Sequence, residues 1–173
     1  MNSSVSADDW MKLFASHLEN GQELRLAPWG SSMYPFLVSK RDQVILQKPT
    51  KELQKGDICL YRRDDGLHVL HRIVRIDLSG IYMIGDAQTT IEGPLRQNQM
   101  IAVVSTIIRK DKMISVQNRR YQLLWKIWLA IIPFRPIILG AWKVVRVVTL
   151  QQLRDRKKYY EYCKKEQSKE QFR

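Results

Sequence analysis

The chain has 173 residues, of which 45% are apolar and 27% charged, and it carries a net charge of +12. That length holds one domain with room for an appendage, and so large an apolar fraction excludes an intrinsically disordered polymer. The two cysteines, Cys59 and Cys163, imply no disulfide framework and stand at no metal-ligand spacing.

The charge is uneven. From Arg119 onward there are 14 Lys or Arg against 4 acids, whereas residues 1–118 hold 15 against 13. A basic end of this kind is suited to nucleic acid or to an anionic membrane surface, and the residues between the charges decide which.

Residues 1–22 form the first segment. Trp10, Leu13, Phe14 and Leu18 fall at helical spacing, with Ser6, Asp8 and Asp9 to cap the start and Gly21 to end it, which predicts a short amphipathic helix. The segment has no long apolar stretch and carries early acids, so it reads as neither a secretory signal nor an anchor, and a location on the cytoplasmic side of a membrane is expected. His17 stands on it and reads as an ordinary surface or edge residue.

Residues 23–118 change to short alternating stretches broken by turn residues: ELRLAPWG, DQVILQ, DICLYRR, LHVLHRIVRI, GIYMIGD and MIAVVSTIIRK. This is the pattern of a mainly β domain. Asp64-Asp65-Gly66 predicts a hairpin turn, because Asp-Gly supplies the positive φ that tight turns need, and Ser79-Gly80 predicts a second.

Residues 119–150, RRYQLLWKIWLAIIPFRPIILGAWKVVRVVTL, form an apolar and basic appendage expected to be amphipathic helices. Arg135 between Pro133 and Pro136 interrupts it, so it lacks the run of about 20 apolar residues that a membrane-crossing helix needs. Indole and phenyl rings beside Lys and Arg suit a membrane interface, and Trp125, Trp128, Phe134 and Trp142 are the expected lipid contacts. Packing of these helices on the β domain is the competing reading. Residues 151–173 are a polar, mixed-charge tail; Tyr159, Tyr160 and Tyr162 beside lysines offer stacking surfaces, but no nucleic-acid motif accompanies them, and nucleic acid is not the expected partner.

The chemistry-bearing stretch is GSSMYPFL, residues 30–37. A serine hydroxyl is a poor nucleophile without a base, and strand alternation puts His71 on the same side as Val69 and Ile73, with His68 opposite, so only one of the two histidines is expected to reach it. GSSMYPFL, KGDICLY, VLHRIV and YMIGDAQ occur in this order, and over residues 25–110 the chain resembles the signal peptidase I family. That resemblance implies a mainly β signal-peptidase or repressor-like fold and a serine endopeptidase that cleaves a leader, signal or propeptide. It implies neither a metal nor an organic cofactor.

The resemblance assigns the nucleophile to Ser32, the serine immediately before Met33, rather than to Ser31. It assigns the general base to His71, where bacterial-type members carry lysine, so the chain is more similar to the Ser-His subtype typified by the endoplasmic-reticulum enzyme. The orienting acid is implied to be Asp86, in the Gly-Asp box, or Glu92, which stands at a second acidic position of that subtype. An imidazole near its ordinary value can take the Ser32 proton at neutral pH if a carboxylate fixes its tautomer. The oxyanion hole is implied to use the Ser32 backbone N–H, within a substrate-binding stretch of Ser31, Ser32 and Met33. Gly30 stands where some relatives have a serine that adds a second donor. Asp57, after Gly56, reads as a turn residue.

Family members usually carry an N-terminal membrane anchor, and this chain departs from that pattern. Two rival readings remain: a non-catalytic, membrane-associated peptide-binding module, and a basic nucleic-acid-binding protein. The peptidase reading expects Ser32 within hydrogen-bond reach of a His71 ring nitrogen.

Overall fold

A computed structural model describes residue 14 and residues 16–141. Eight strands form one antiparallel sheet: β1 (Leu24–Leu26), β2 (Asp42–Gln47), β3 (Ile58–Arg62), β4 (His68–Asp77), β5 (Gly80–Ile84), β6 (Glu92–Leu95), β7 (Met100–Arg109) and β8 (Lys112–Ser115). The order across the sheet is β1-β2-β7-β3-β4-β5-β6, and β8 pairs with the far half of β7. The mainly β expectation is correct. Of the expected N-terminal helix, residues 14 and 16–19 are helical, residues 20 and 21 form the turn that ends it, and residues 1–13 and 15 lie outside the described residues.

The strands expected from alternation are all present, joined by the expected turns. Between β3 and β4 the Asp65 carboxylate accepts the Leu67 N–H at 2.9 Å, and Gly66 takes φ +87°. Asp77 caps the β4–β5 turn in the same way through the Ser79 N–H at 2.9 Å. Two strands add to the sequence reading. β6, with sequence EGPL, lies at the sheet's edge, the place where a strand tolerates proline because a missing N–H breaks no ladder. β8 follows a tight turn at Lys110 and Asp111, whose φ values of 48° and 61° are supplied by residues other than glycine.

Two apolar clusters cover the sheet's faces. The larger gathers Val44, Leu46, Ile58, Leu60, Ile84 and Val104 with Met33 and Leu37 from the loop before β2; the smaller gathers Cys59, Tyr61, Ile73, Ile81, Met83 and Leu95. Burying side chains of this size contributes about 1.5 to 3 kcal/mol each.

Helix α1 (Arg119–Ala130) completes the larger cluster. Asn118 caps it by accepting the Arg120 N–H at 2.9 Å, and Tyr121, Trp125 and Leu129, one turn apart, face the sheet. This corrects the division at residue 118, since a first compact unit runs to Ile132 and a second begins at Pro133. It also corrects Trp125, expected at lipid but 6% exposed, packed against Gly56 so closely that a Cβ there would lie 2.2 Å from the indole. Gly56 is therefore required both for its φ of +100° and for its missing side chain. Trp128 is half-buried, and its indole N–H donates to the Asp86 carbonyl at 2.9 Å. The large apolar α1 side chains left exposed are instead Leu123, Leu124 and Ile127. In the second unit residues 135–141 are helical and Phe134 is exposed; Trp142 and residues 143–173 lie outside the described residues.

Candidate active site

β4 positions the central residues of the candidate site, because consecutive side chains on a strand point to opposite faces. His71 pairs with Cys59 across the β3–β4 ladder and shares the face of Tyr61, Val69 and Ile73, whereas Arg72 projects to the α1 side. Both are fully buried, with relative exposures of 1% and 0%.

Around His71, Nδ1 lies 3.1 Å from the Tyr61 hydroxyl and 3.4 Å from Glu92 Oε1. Tyr61 donates to Glu92 Oε2 at 2.7 Å. Arg63 binds the same carboxylate with two N–H groups, Nε to Oε2 at 2.7 Å and Nη2 to Oε1. Burial holds His71 below its ordinary value, with Arg63 acting in the same direction and Glu92 opposing. Burial alone would raise the Glu92 carboxyl, but the hydrogen bonds from Arg63 and Tyr61 and the nearby His71 hold it below the usual glutamate range. Burial and the bond to Glu92 push the Tyr61 phenol well above its ordinary value. At neutral pH the set is a neutral imidazole, a neutral phenol and an ionised carboxylate.

Asp86 is placed differently. Its carboxylate is 0% exposed and bound on both oxygens by Arg72, Nε to Oδ1 at 2.9 Å and Nη2 to Oδ2 at 2.8 Å. Arg72 also donates to the Gly56 carbonyl at 2.9 Å and the Tyr121 hydroxyl at 3.2 Å, and its guanidinium lies 4.9 Å from the Phe36 ring centroid. Of the two acids expected at His71, Glu92 is there and Asp86 is engaged on the other face. Asp57 serves its turn, accepting the Gln54 N–H at 2.8 Å.

Ser32 sits in a turn docked on the end of β5. Its carbonyl accepts the Ala87 N–H at 2.7 Å, and a Cβ on Gly85 would lie 2.8 Å from the same oxygen, so the Gly-Asp box is the seat of the serine loop. Turn bonds from the Tyr34 N–H to the Ser31 carbonyl and from the Leu37 N–H to the Met33 carbonyl hold the loop, leaving the Ser32 N–H outside them. Ser31 is exposed, whereas Met33 and Leu37 are anchored in the larger cluster.

A cavity of about 120 Å³ opens beside Ser32, lined by Trp29, Gly30, Met33 and the β4 residues His68, Val69 and Leu70. Ser32 thus lies against the stretch of β4 that leads into His71. Among the described residues no hydrogen bond joins Ser32 to His71, so that expectation is not met. Among them too, no group of three or more His, Cys, Asp or Glu is arranged to hold a metal.

The cavity adjoins an open strand edge. β5 pairs with β4 only from Arg72 onward, so among the described residues Val69–His71 have β3 on one side and no strand on the other. Ile73 directs its N–H to the Asp57 carbonyl and its C=O to the Gly56 N–H. Alternation then turns His71 and Val69 toward β3 and leaves the N–H and C=O of Leu70 facing the cavity.

Tyr61 and Arg63 were not among the residues singled out in sequence. The signal for Tyr61 was the hairpin register. Counting back from Asp64-Asp65-Gly66 pairs Cys59 with His71, which sets Tyr61 on the histidine's face. No protein-family model matches the chain, and no curated protein or solved structure matches it.

Proposed function

We propose that the chain is a serine endopeptidase of signal-peptidase type held at a membrane surface, with Ser32 as nucleophile, His71 as general base and then acid, and Glu92 as orienting acid. The observation that carries this reading is a buried, neutral His71 whose Nδ1 side is occupied by Tyr61 and Glu92, on the strand that walls the Ser32 cavity. With Nδ1 so engaged, Nε2 is the nitrogen that takes the Ser32 proton as the hydroxyl oxygen attacks the scissile carbonyl. The same nitrogen then protonates the departing amine, and water resolves the acyl-enzyme by the reverse proton path. The Ser32 N–H, outside the loop's own turn bonds, supports a role at the developing oxyanion.

The edge at Leu70 supports an extended peptide as substrate, added as a strand beside β4, and a cavity of about 120 Å³ suits a small side chain before the cut. The acquired order between Ser32 and His71 falls to substrate binding, since catalytic hydrogen bonds are often long before substrate arrives and tighten with it. The missing Ser32–His71 bond favours one alternative, a peptide-binding module without turnover. Cleavage of a leader-like peptide, followed by mass spectrometry, separates the two. Ser32→Ala and His71→Ala are each expected to lower the rate by about 10⁴-fold or more with the fold retained. Cleavage that persists in both variants removes the peptidase reading, and unchanged peptide affinity with no turnover in the wild type establishes the binding module.

Leu123, Leu124 and Ile127 on α1, flanked by Arg119, Arg120 and Lys126, support contact with an anionic bilayer, although no single described helix is long and apolar enough to cross one. Co-sedimentation with phosphatidylcholine and phosphatidylserine vesicles is expected to weaken about tenfold or more in Leu124→Ser with Ile127→Ser, because each buried side chain contributes about 1.5 to 3 kcal/mol. Equal binding by the variant removes this face as the contact.

A further inference from the structure

The acid and the base of the candidate site do not meet directly. The 3.4 Å from His71 Nδ1 to Glu92 Oε1 is beyond the usual range of an N–H···O hydrogen bond, whereas 3.1 Å to the Tyr61 hydroxyl is within it. A tyrosine hydroxyl has one hydrogen to give. Its contact with Glu92 Oε2 is 2.7 Å, the short distance of an O–H donor on an ionised carboxylate, and such a carboxylate only accepts. Arg63 keeps Glu92 in that state by occupying both carboxylate oxygens. With its hydrogen committed to Glu92, the Tyr61 oxygen has lone pairs alone to offer His71.

From this order of donors we infer that Tyr61 is the positioning residue for the general base. It accepts a hydrogen bond from His71 Nδ1–H, passes the polarising effect of Glu92 to the ring, and so leaves the lone pair on Nε2. Arg63 is the clamp that makes the relay one-directional. No proton crosses Tyr61. The bonds His71 Nδ1–H to Tyr61 oxygen and Tyr61 O–H to Glu92 Oε2 are present before and after Nε2 takes its proton, and they strengthen when the ring becomes charged. The placement of Tyr61 follows from β3 and β4, since Cys59 opposite His71 puts Tyr61 two residues along the same face, and β6 brings Glu92 within 2.7 Å of the hydroxyl. Its catalytic meaning rests on the peptidase reading, but the tautomer does not.

The ring nitrogens of the full-length protein report on it directly. In two-bond ¹H–¹⁵N spectra at pH 8, with the His71 signals identified by their loss in His71→Gln, the wild type is expected to show a protonated Nδ1 and an unprotonated Nε2. Tyr61→Phe keeps the ring that fills the core and removes only the hydroxyl, and it is expected to shift His71 to a mixture of tautomers. Against a cleaved peptide it should lower kcat by about tenfold with KM unchanged. A wild type protonated on Nε2 overturns the relay, and so does a tautomer unaltered in Tyr61→Phe, which would assign the role to Glu92 alone. If the tautomer behaves as stated and no peptide is cut, the relay stands and the peptidase reading falls.

Discussion

His71 and Arg72 are neighbours on one strand, equally buried and each matched with an acid, yet the two acids are held in opposite ways. Arg72 and Asp86 meet through two parallel hydrogen bonds with both groups fully buried, and Phe36, Tyr121 and Trp125 surround the guanidinium. All three guanidinium nitrogens are engaged, and the pair ties α1 to the seat of the serine loop. His71 reaches Glu92 through a hydroxyl, and Glu92 keeps 22% of its side-chain surface in solvent. One face of the strand is closed by a fully buried ion pair; the other meets its acid through a hydroxyl at a part-exposed carboxylate.

The comparison is broken most severely on the closed face. Asp86→Ala strands the Arg72 guanidinium in the core, and removing one partner of a buried ion pair costs about 3 to 5 kcal/mol of stability. Glu92→Gln keeps shape and solvent access, so the loss of stability should be about 1 kcal/mol or less. Its effect falls on the reaction instead. An acid that acts through an intervening hydroxyl should matter less than the roughly 10⁴-fold of a directly bonded triad acid. A drop in cleavage rate of about 10- to 100-fold, or 1.4 to 2.7 kcal/mol, is expected. Urea denaturation and peptide-cleavage rates on the same two variants test the division. Equal stability losses would erase the division, and a larger rate effect from Asp86→Ala in protein that remains folded would exchange the roles of the two acids.

How far these roles were legible in sequence depends on what fixed each residue. The long strands and their turns could be read because alternation and Asp-Gly turns act locally. β6 could not, since Gly93-Pro94 argues against a strand and only its position at the sheet's edge permits one, so Glu92 entered the reading only through the family resemblance. The choice between Asp86 and Glu92 required knowing that Arg72 would claim the first, a contact set by strand faces rather than by spacing. Trp125 was misread because α1 is apolar on two sides. The buried side is selected by the space over Gly56, more than 60 residues earlier in the chain, which the helix's own sequence does not contain.

The smallest effect sharpens the same comparison through protonation, because Arg72 stays charged throughout the accessible pH range and His71 does not. Burial lowers the folded-state value of His71 below the ordinary 6.5, despite the opposing pull of Glu92. As pH falls below that ordinary value, the unfolded chain takes up a proton that the folded imidazole still refuses. The unfolded state then binds more protons, and stability must fall with falling pH until the folded value is passed. His71→Gln removes this limb and leaves the Arg72–Asp86 pair intact. Its stability, followed by urea denaturation at closely spaced pH, should therefore be flatter than that of the wild type just below 6.5. Cleavage by the wild type should fall on the acid side of the same range, with its midpoint below that of an ordinary histidine, since only the neutral ring accepts the Ser32 proton. A His71→Gln curve parallel to the wild type would mean that His71 binds protons equally in both states. The folded ring would then titrate as it does in the unfolded chain, and the buried, neutral His71 that sets one face of β4 apart from the other would be lost.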